Sequence, residues 1–127
     1  PKHKRVIGSD FVGYQTYRQD APTHTVVLCE DQISAATIGG IGHTGVCLFG
    51  VHSSIEKTHN IITRPEFAGN EFIVWLDNDN PTVKNQASKI AQYIGMLGGR
   101  VRTVQEKIEP KHLTKTEEIN EHIQAAK

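Results

Sequence analysis

Three acidic residues follow apolar runs in this chain, and their placement has chemical consequences. Glu30 closes the run Val26–Cys29, while Asp77 and Asp79 follow Phe72–Leu76. If the two runs are neighbouring strands, the three carboxylates converge at one end of a sheet. Carboxylates a few ångströms apart repel one another, and a divalent cation relieves the repulsion. Hard oxygen donors suit Mg²⁺ or Mn²⁺, which keep bound water and complete their shell with substrate phosphates. Such a centre orients and polarises a phosphoryl group for in-line displacement. The same residues also have a local reading. Asp77-Asn78-Asp79-Asn80-Pro81 is a turn-forming sequence, and Glu30 is placed to cap the helix after it.

Other side chains are poor metal ligands by spacing. The seven histidines form no HExxH pair, and the two cysteines cannot make a four-thiolate zinc site. His52 stands in the loop after the second apolar run and Lys84 in the first turn of a predicted helix. Both are candidates for phosphate contacts, against the simpler reading of solvated polar residues.

The elements that would position these residues are legible as alternating apolar runs and helical periods. Thr25–Cys29, Gly45–Phe49, Glu71–Leu76 and Val101–Val104 read as strands. Helices are expected at Ile33–Ile38, from Ser53 or Ser54 to about Ile62, at Thr82–Leu97 and at Thr116–Ala126. Val83, Ala87, Ile90, Ala91, Ile94 and Leu97 recur at spacings of three and four, and Gly98-Gly99 ends that helix. Strands this apolar are covered on both faces, so the expected fold class is α/β, a mainly parallel four-stranded sheet flanked by helices. Residues 1–24, with the cluster Lys2-His3-Lys4-Arg5, read as an irregular extension before a domain at 25–127. Val6-Ile7 and Phe11-Val12 are the places in it where short pairing is expected.

Composition narrows the class. With 127 residues, 14 basic and 14 acidic side chains cancel, which excludes a strongly basic nucleic-acid wrapper and an acidic tail. A 37% hydrophobic fraction suffices for one modest core. No apolar run is long enough for a bilayer span and no signal-peptide pattern opens the chain. Cys29 and Cys47 lie in apolar runs, as reduced buried thiols do, which points to a cytoplasmic protein. The chain opens at Pro1 rather than Met, which suggests a processed start or an excised piece.

The ordered set VVLCED with Ser34-Ala35, then Leu48-Phe49-Gly50, then FIVWLDNDN before an amphipathic helix resembles the Toprim domain. That domain occurs in bacterial-type primases, type IA and type II topoisomerases and certain nucleases. Its pattern is a Glu after the first strand and Asp-x-Asp after a later one. Glu30, Asp77 and Asp79 match these positions, and the interval between them fits two helix–strand units. The wording EDQISA, LFG and WLDND is most similar to bacteriophage-type DNA primases and primase-helicases, over about Val26 to Lys111. Ile108-Glu109-Pro110-Lys111 resembles the DPK or DPD element of those primases, with Glu in place of Asp. Thr82 stands where they commonly have Gly.

The resemblance implies a Rossmann-like Toprim fold. It assigns Glu30 as metal ligand or general acid/base, and Asp77 and Asp79 as metal ligands. The implied cofactor is Mg²⁺ or Mn²⁺, and the implied activity is RNA primer synthesis from NTPs on single-stranded DNA. A replicative helicase or further primase domains are the implied partners, in the bacterial cytoplasm if the source is a phage. Lys84, His52, Lys111 and Arg100 are candidate nucleotide or nucleic-acid contacts, and template has a basic stretch from Arg100 to Lys115. Phosphodiester cleavage and a non-catalytic binding module are the alternatives within the family. A receiver-type phosphoacceptor domain also has Asp followed four residues later by Pro, as Asp77 and Pro81 are. It needs more strand–helix units after that Asp than this chain supplies.

Overall fold

The computed structural model describes residues 13–50, 52, 54–77 and 80–127. Its elements are β1 (Gln15–Tyr17), β2 (Thr25–Cys29), α1 (Gln32–Gly40), β3 (Thr44–Cys47), α2 (Ser54–Ile62), β4 (Glu71–Val74), α3 (Pro81–Met96), β5 (Arg100–Thr103) and α4 (Thr116–Ala125). They form one sheet of order β1-β3-β2-β4-β5. The β3-β2-β4-β5 part is parallel, and β1 joins β3 antiparallel with Thr16 opposite Val46. Among the described residues no helix is long and apolar enough to cross a membrane.

The strands read as continuous apolar runs because both sheet faces are covered. Successive side chains alternate between faces, so Val26 and Leu28 enter one core with Ile61, Ile90 and Ile94 of α2 and α3. Val27 and Cys29 enter a second core with Ala35 and Ile38 of α1 and Ile119 and Ile123 of α4. Cys29 and Cys47, register partners on β2 and β3, are buried free thiols. Helix α1 lies so close to β3 that a Cβ on Gly45 would meet the Ala35 carbonyl oxygen at 2.0 Å. This contact requires glycine in the middle of a buried strand, where it is otherwise unfavourable.

Two expectations are corrected here. The sheet has five strands rather than four, because Gln15–Tyr17 within the expected irregular segment is an edge strand. Three residues carry too little alternation to stand out in the sequence; β1 exists because β3 offers it an unpaired edge. The strand expected at Gly45–Phe49 ends at Cys47, and Phe49 turns into left-handed backbone at φ 54°. Helix α3 begins as expected. Asn80 caps it, accepting from the N–H groups of Thr82 and Val83, with Pro81 in its first position. Leu97 falls just beyond its end and is exposed.

Candidate active site at the carboxyl rim of the sheet

Parallel strands all point the same way, so the residues after β2, β3 and β4 gather at one rim. Their register fixes which side chains meet. Leu28 pairs with Val74 and Cys29 with Cys47. Trp75 N–H still donates to the Leu28 carbonyl at 3.0 Å beyond the formal end of β4. Two residues later the Glu30 carboxylate takes over this role. Its Oε1 accepts from the Asp77 backbone N–H at 2.8 Å, across 47 positions of sequence. The strand ends carrying the two leading sequence candidates are therefore tied together by one of those candidates. Asp79, the third, lies outside the described residues.

The residue next to Glu30 has a different task. Asp31 is the N-cap of α1: Oδ1 accepts from the Ser34 N–H at 2.8 Å, and Oδ2 accepts from the Ser34 hydroxyl at 3.4 Å. The Lys111 ammonium sits on Asp31 Oδ2 at 3.2 Å and lies 3.9 Å from Glu109. Lys111 N–H also donates to Ser34 Oγ at 3.4 Å, so the loop after β5 is fastened to the start of α1. Trp75 anchors the same loop from below, its indole N–H donating to the Ile108 carbonyl.

The rim carries excess negative charge. Burial raises the Glu109 carboxyl; Lys111 opposes that shift, while Asp31 and Asp77 add to it, and the net pKa lies above the usual carboxylate range. Burial alone would raise Asp31 too, but the hydrogen bond from Ser34 and the Lys111 cation outweigh it and hold Asp31 low. The two acids shift in opposite directions, Glu109 because it is buried beside like charge and Asp31 because Ser34 and Lys111 favour its charged form. Lys111 is held above its usual value, first by its hydrogen bond to Asp31.

The remaining sequence candidates are dispersed. His52 is exposed in the loop after β3, on the rim side of the sheet. Lys84 is exposed in the first turn of α3, its N–H donating to the Asn80 carbonyl at 2.9 Å. Lys111 lies at the rim, with its charge engaged by Asp31 and Glu109. Arg100 does not. It begins β5 opposite Glu71, at the amino end of the sheet, and its guanidinium donates to the Gly69 carbonyl at 2.7 Å.

Sequence reasoning passed over Asp31, whose signal was an Asp three residues before Ser34 at the start of a helix. It also passed over Lys57 of α2, which reaches back to donate to the Leu48 carbonyl at 2.6 Å; nothing in the spacing marks that contact.

Among the described residues, no group of three or more His, Cys, Asp or Glu side chains is arranged to hold a metal ion. Glu30 and Asp77 nevertheless supply hard oxygen donors from adjoining strand ends. Mg²⁺ is commonly held by one or two carboxylates together with water and substrate phosphate. The burial and like charge that raise Glu109 describe a rim that a cation would stabilise.

No family model, curated protein or solved structure matches this chain.

Proposed function

We propose that this chain is a Toprim-type catalytic domain that transfers nucleotidyl groups on nucleic acid, acting as a DNA primase or its catalytic part. The observation that carries the reading is the hydrogen bond from Asp77 N–H to Glu30 Oε1 at 2.8 Å. It joins the Glu after the first parallel strand to the start of Asp-x-Asp after β4, its neighbour in the sheet, the two positions on which the sequence resemblance rests.

Glu30, Asp77 and Asp79 would hold Mg²⁺ or Mn²⁺. When bound, the cation supplies charge stabilisation for a nucleotide's phosphates and for the pyrophosphate that leaves. The protein's own groups do the positioning. Glu30 uses one oxygen to hold the Asp77 backbone N–H, which orients the chain as it leaves β4. Asp31, Ser34 and Lys111 clamp the loop after β5 against α1, closing one side of the rim. Lys84 and His52, both exposed, are the proposed phosphate contacts. Single-stranded DNA and NTPs are the proposed substrates, and a helicase or further primase domains the proposed partners.

The test is product analysis with single-stranded template, labelled NTPs and Mg²⁺, using Asp77→Asn as the control. Short RNA products absent from the variant support primer synthesis. Shortened template would replace this reading with nuclease action, and no product with metal binding retained would replace it with an accessory module.

A further inference from the structure

Arg100 stands apart from the carboxyl rim, and it borders a cavity there. At the amino end of the sheet, the C-terminal ends of α2 and α3 and the segment before β4 surround a space of about 280 Å³. Phe67, Phe72 and Ile94, all buried, line its interior, and the exposed Leu97 continues the apolar wall outwards. The turns beside it are made by Gly69 and Gly98, with φ of 80° and 84°. Glycine accepts this left-handed backbone freely, and neither turn contributes a side chain to fill the space.

Polar groups at the cavity are few. The Arg100 guanidinium donates to the Gly69 carbonyl at 2.7 Å, and both residues line the cavity. That neutral carbonyl occupies one N–H donor and leaves the charge uncompensated. Among the described residues Arg100 forms no ion pair. The acids of the flanking segments are matched elsewhere: Glu66 pairs with Arg64, and Arg102 holds Glu71 at 2.9 and 3.1 Å. The last carbonyls of α3 are taken by the N–H groups of Leu97, Gly98 and Gly99. Asn70 also lines the cavity, and its carboxamide has no partner among the described residues.

An apolar interior beside one uncompensated cation defines a ligand class. Ligand sites are mainly apolar with a few orienting polar groups, and this volume falls at the small end of their usual range. It admits a single ring or a short acyl chain. One guanidinium matches one carboxylate, whose two oxygens accept parallel N–H bonds. A phosphate monoester would bring further negative charge, and the lining residues offer no second cation to meet it.

We propose that this cavity binds a small monocarboxylic acid with an apolar body. The ring or chain lies against Phe67, Phe72 and Ile94, and the carboxylate is held by Arg100 and Asn70. The site is at the opposite end of the sheet from Glu30 and Asp77 and is independent of the nucleotidyl-transfer reading.

The experiment titrates the isotopically labelled protein with 3-phenylpropionate, with its neutral isostere 3-phenylpropionamide, and with propionate, which lacks the ring. The phenyl acid is expected to shift the backbone amides of Gly69, Asn70, Gly98 and Arg100. It should bind roughly tenfold to a hundredfold more tightly than the amide, the worth of a hydrogen-bonded charge. Propionate should bind at least roughly tenfold more weakly than the phenyl acid, for want of apolar burial. Arg100→Gln should bring the acid down to the affinity of the amide and leave the amide unchanged, while Arg100→Lys should keep part of the preference. Arg100 is exposed, and unchanged signals from the buried strands would verify that its variants fold. Shifts absent at millimolar acid, centred away from Gly69 and Gly98, or unaltered in Arg100→Gln overturn the inference. Equal affinity of the phenyl acid for the protein with either the amide or propionate does so too. Product formation and its loss in Asp77→Asn are read separately, so either claim can fail alone.

Discussion

The Glu30 carboxylate accepts the backbone N–H of Asp77 at 2.8 Å, so a side chain from the end of β2 sets the conformation of the chain as it leaves β4. A hydrogen bond to a charged group contributes roughly 1.5–3 kcal/mol. One oxygen of Glu30 is thereby committed to structure, and this dual use makes its substitutions informative.

Glu30→Gln keeps an acceptor of the same shape and removes the charge. It is expected to fold with little change in denaturant midpoint while phosphoryl transfer falls at least about a hundredfold, the scale typical for losing one electrostatic group at a reacting centre. Glu30→Ala removes the acceptor as well and should be less stable than Glu30→Gln by about 1–3 kcal/mol. Equal stability of the two variants in urea titrations would show that the Asp77 contact does not hold the rim.

Gly45→Ala tests the close approach of α1 to β3. The new methyl would stand 2.0 Å from the Ala35 carbonyl oxygen and 2.8 Å from its carbon, with backbone rather than a flexible side chain on the other side. The helix must shift, and the expected loss is about 3 kcal/mol, at the upper end of ordinary overpacking. Thermal unfolding with a midpoint within a degree or two of wild type would mean that α1 does not sit on β3 as described.

Phe49→Gly and Phe49→Ala lose the same ring and differ in backbone tolerance. Glycine adopts φ near 54° freely, whereas alanine is strained there by about 1–2 kcal/mol. Phe49→Gly is therefore expected to be the more stable of the two by about 1 kcal/mol in chemical denaturation, and the reverse order would remove the strain.

Alkaline pH provides a further check. Burial pushes the Cys47 thiol up from an ordinary 9.0 to about 11, with only partial relief from the Phe49 N–H. The unfolded chain releases this proton near pH 9 and the folded chain retains it, so between the two values the folded state binds more protons. Stability contributed by the neutral thiol is full below pH 9 and declines as pH rises towards about 11. Cys47→Ala should flatten that decline in unfolding curves measured from pH 8 to 11. Thiol reagents should likewise label native Cys47 slowly at neutral pH.

The parallel core was legible because its strands are buried on both faces and so lack polar interruptions. The Glu71–Leu76 run and the period of Val83, Ala87, Ile90 and Ile94 marked β4 and α3, although β4 itself ends two residues earlier, at Val74. Strand β1 was not legible, since Gln15–Tyr17 is specified by the open edge of β3 rather than by its own residues. The acidic positions at the strand ends were visible as types, and Glu30 and Asp77 do meet. The neighbouring clamp of Lys111 on Asp31 and Ser34 arises from a loop folding back after β5, a contact across 80 positions that no local pattern encodes. Arg100 shows the converse. Its charge is evident in the sequence, but its position at the start rather than the end of a strand places it on the opposite rim.

The most direct measurement is paramagnetic broadening of backbone amide signals as Mn²⁺ is added to the isotopically labelled protein. Loss of signal is expected to centre on Glu30, Asp31, Gly50 and Asp77, with Arg100 and Gly69 at the other end of the sheet unaffected. Asp77→Asn should abolish the effect. Broadening centred away from the carboxyl rim, or unchanged in Asp77→Asn, would contradict a metal-dependent phosphoryl-transfer site there.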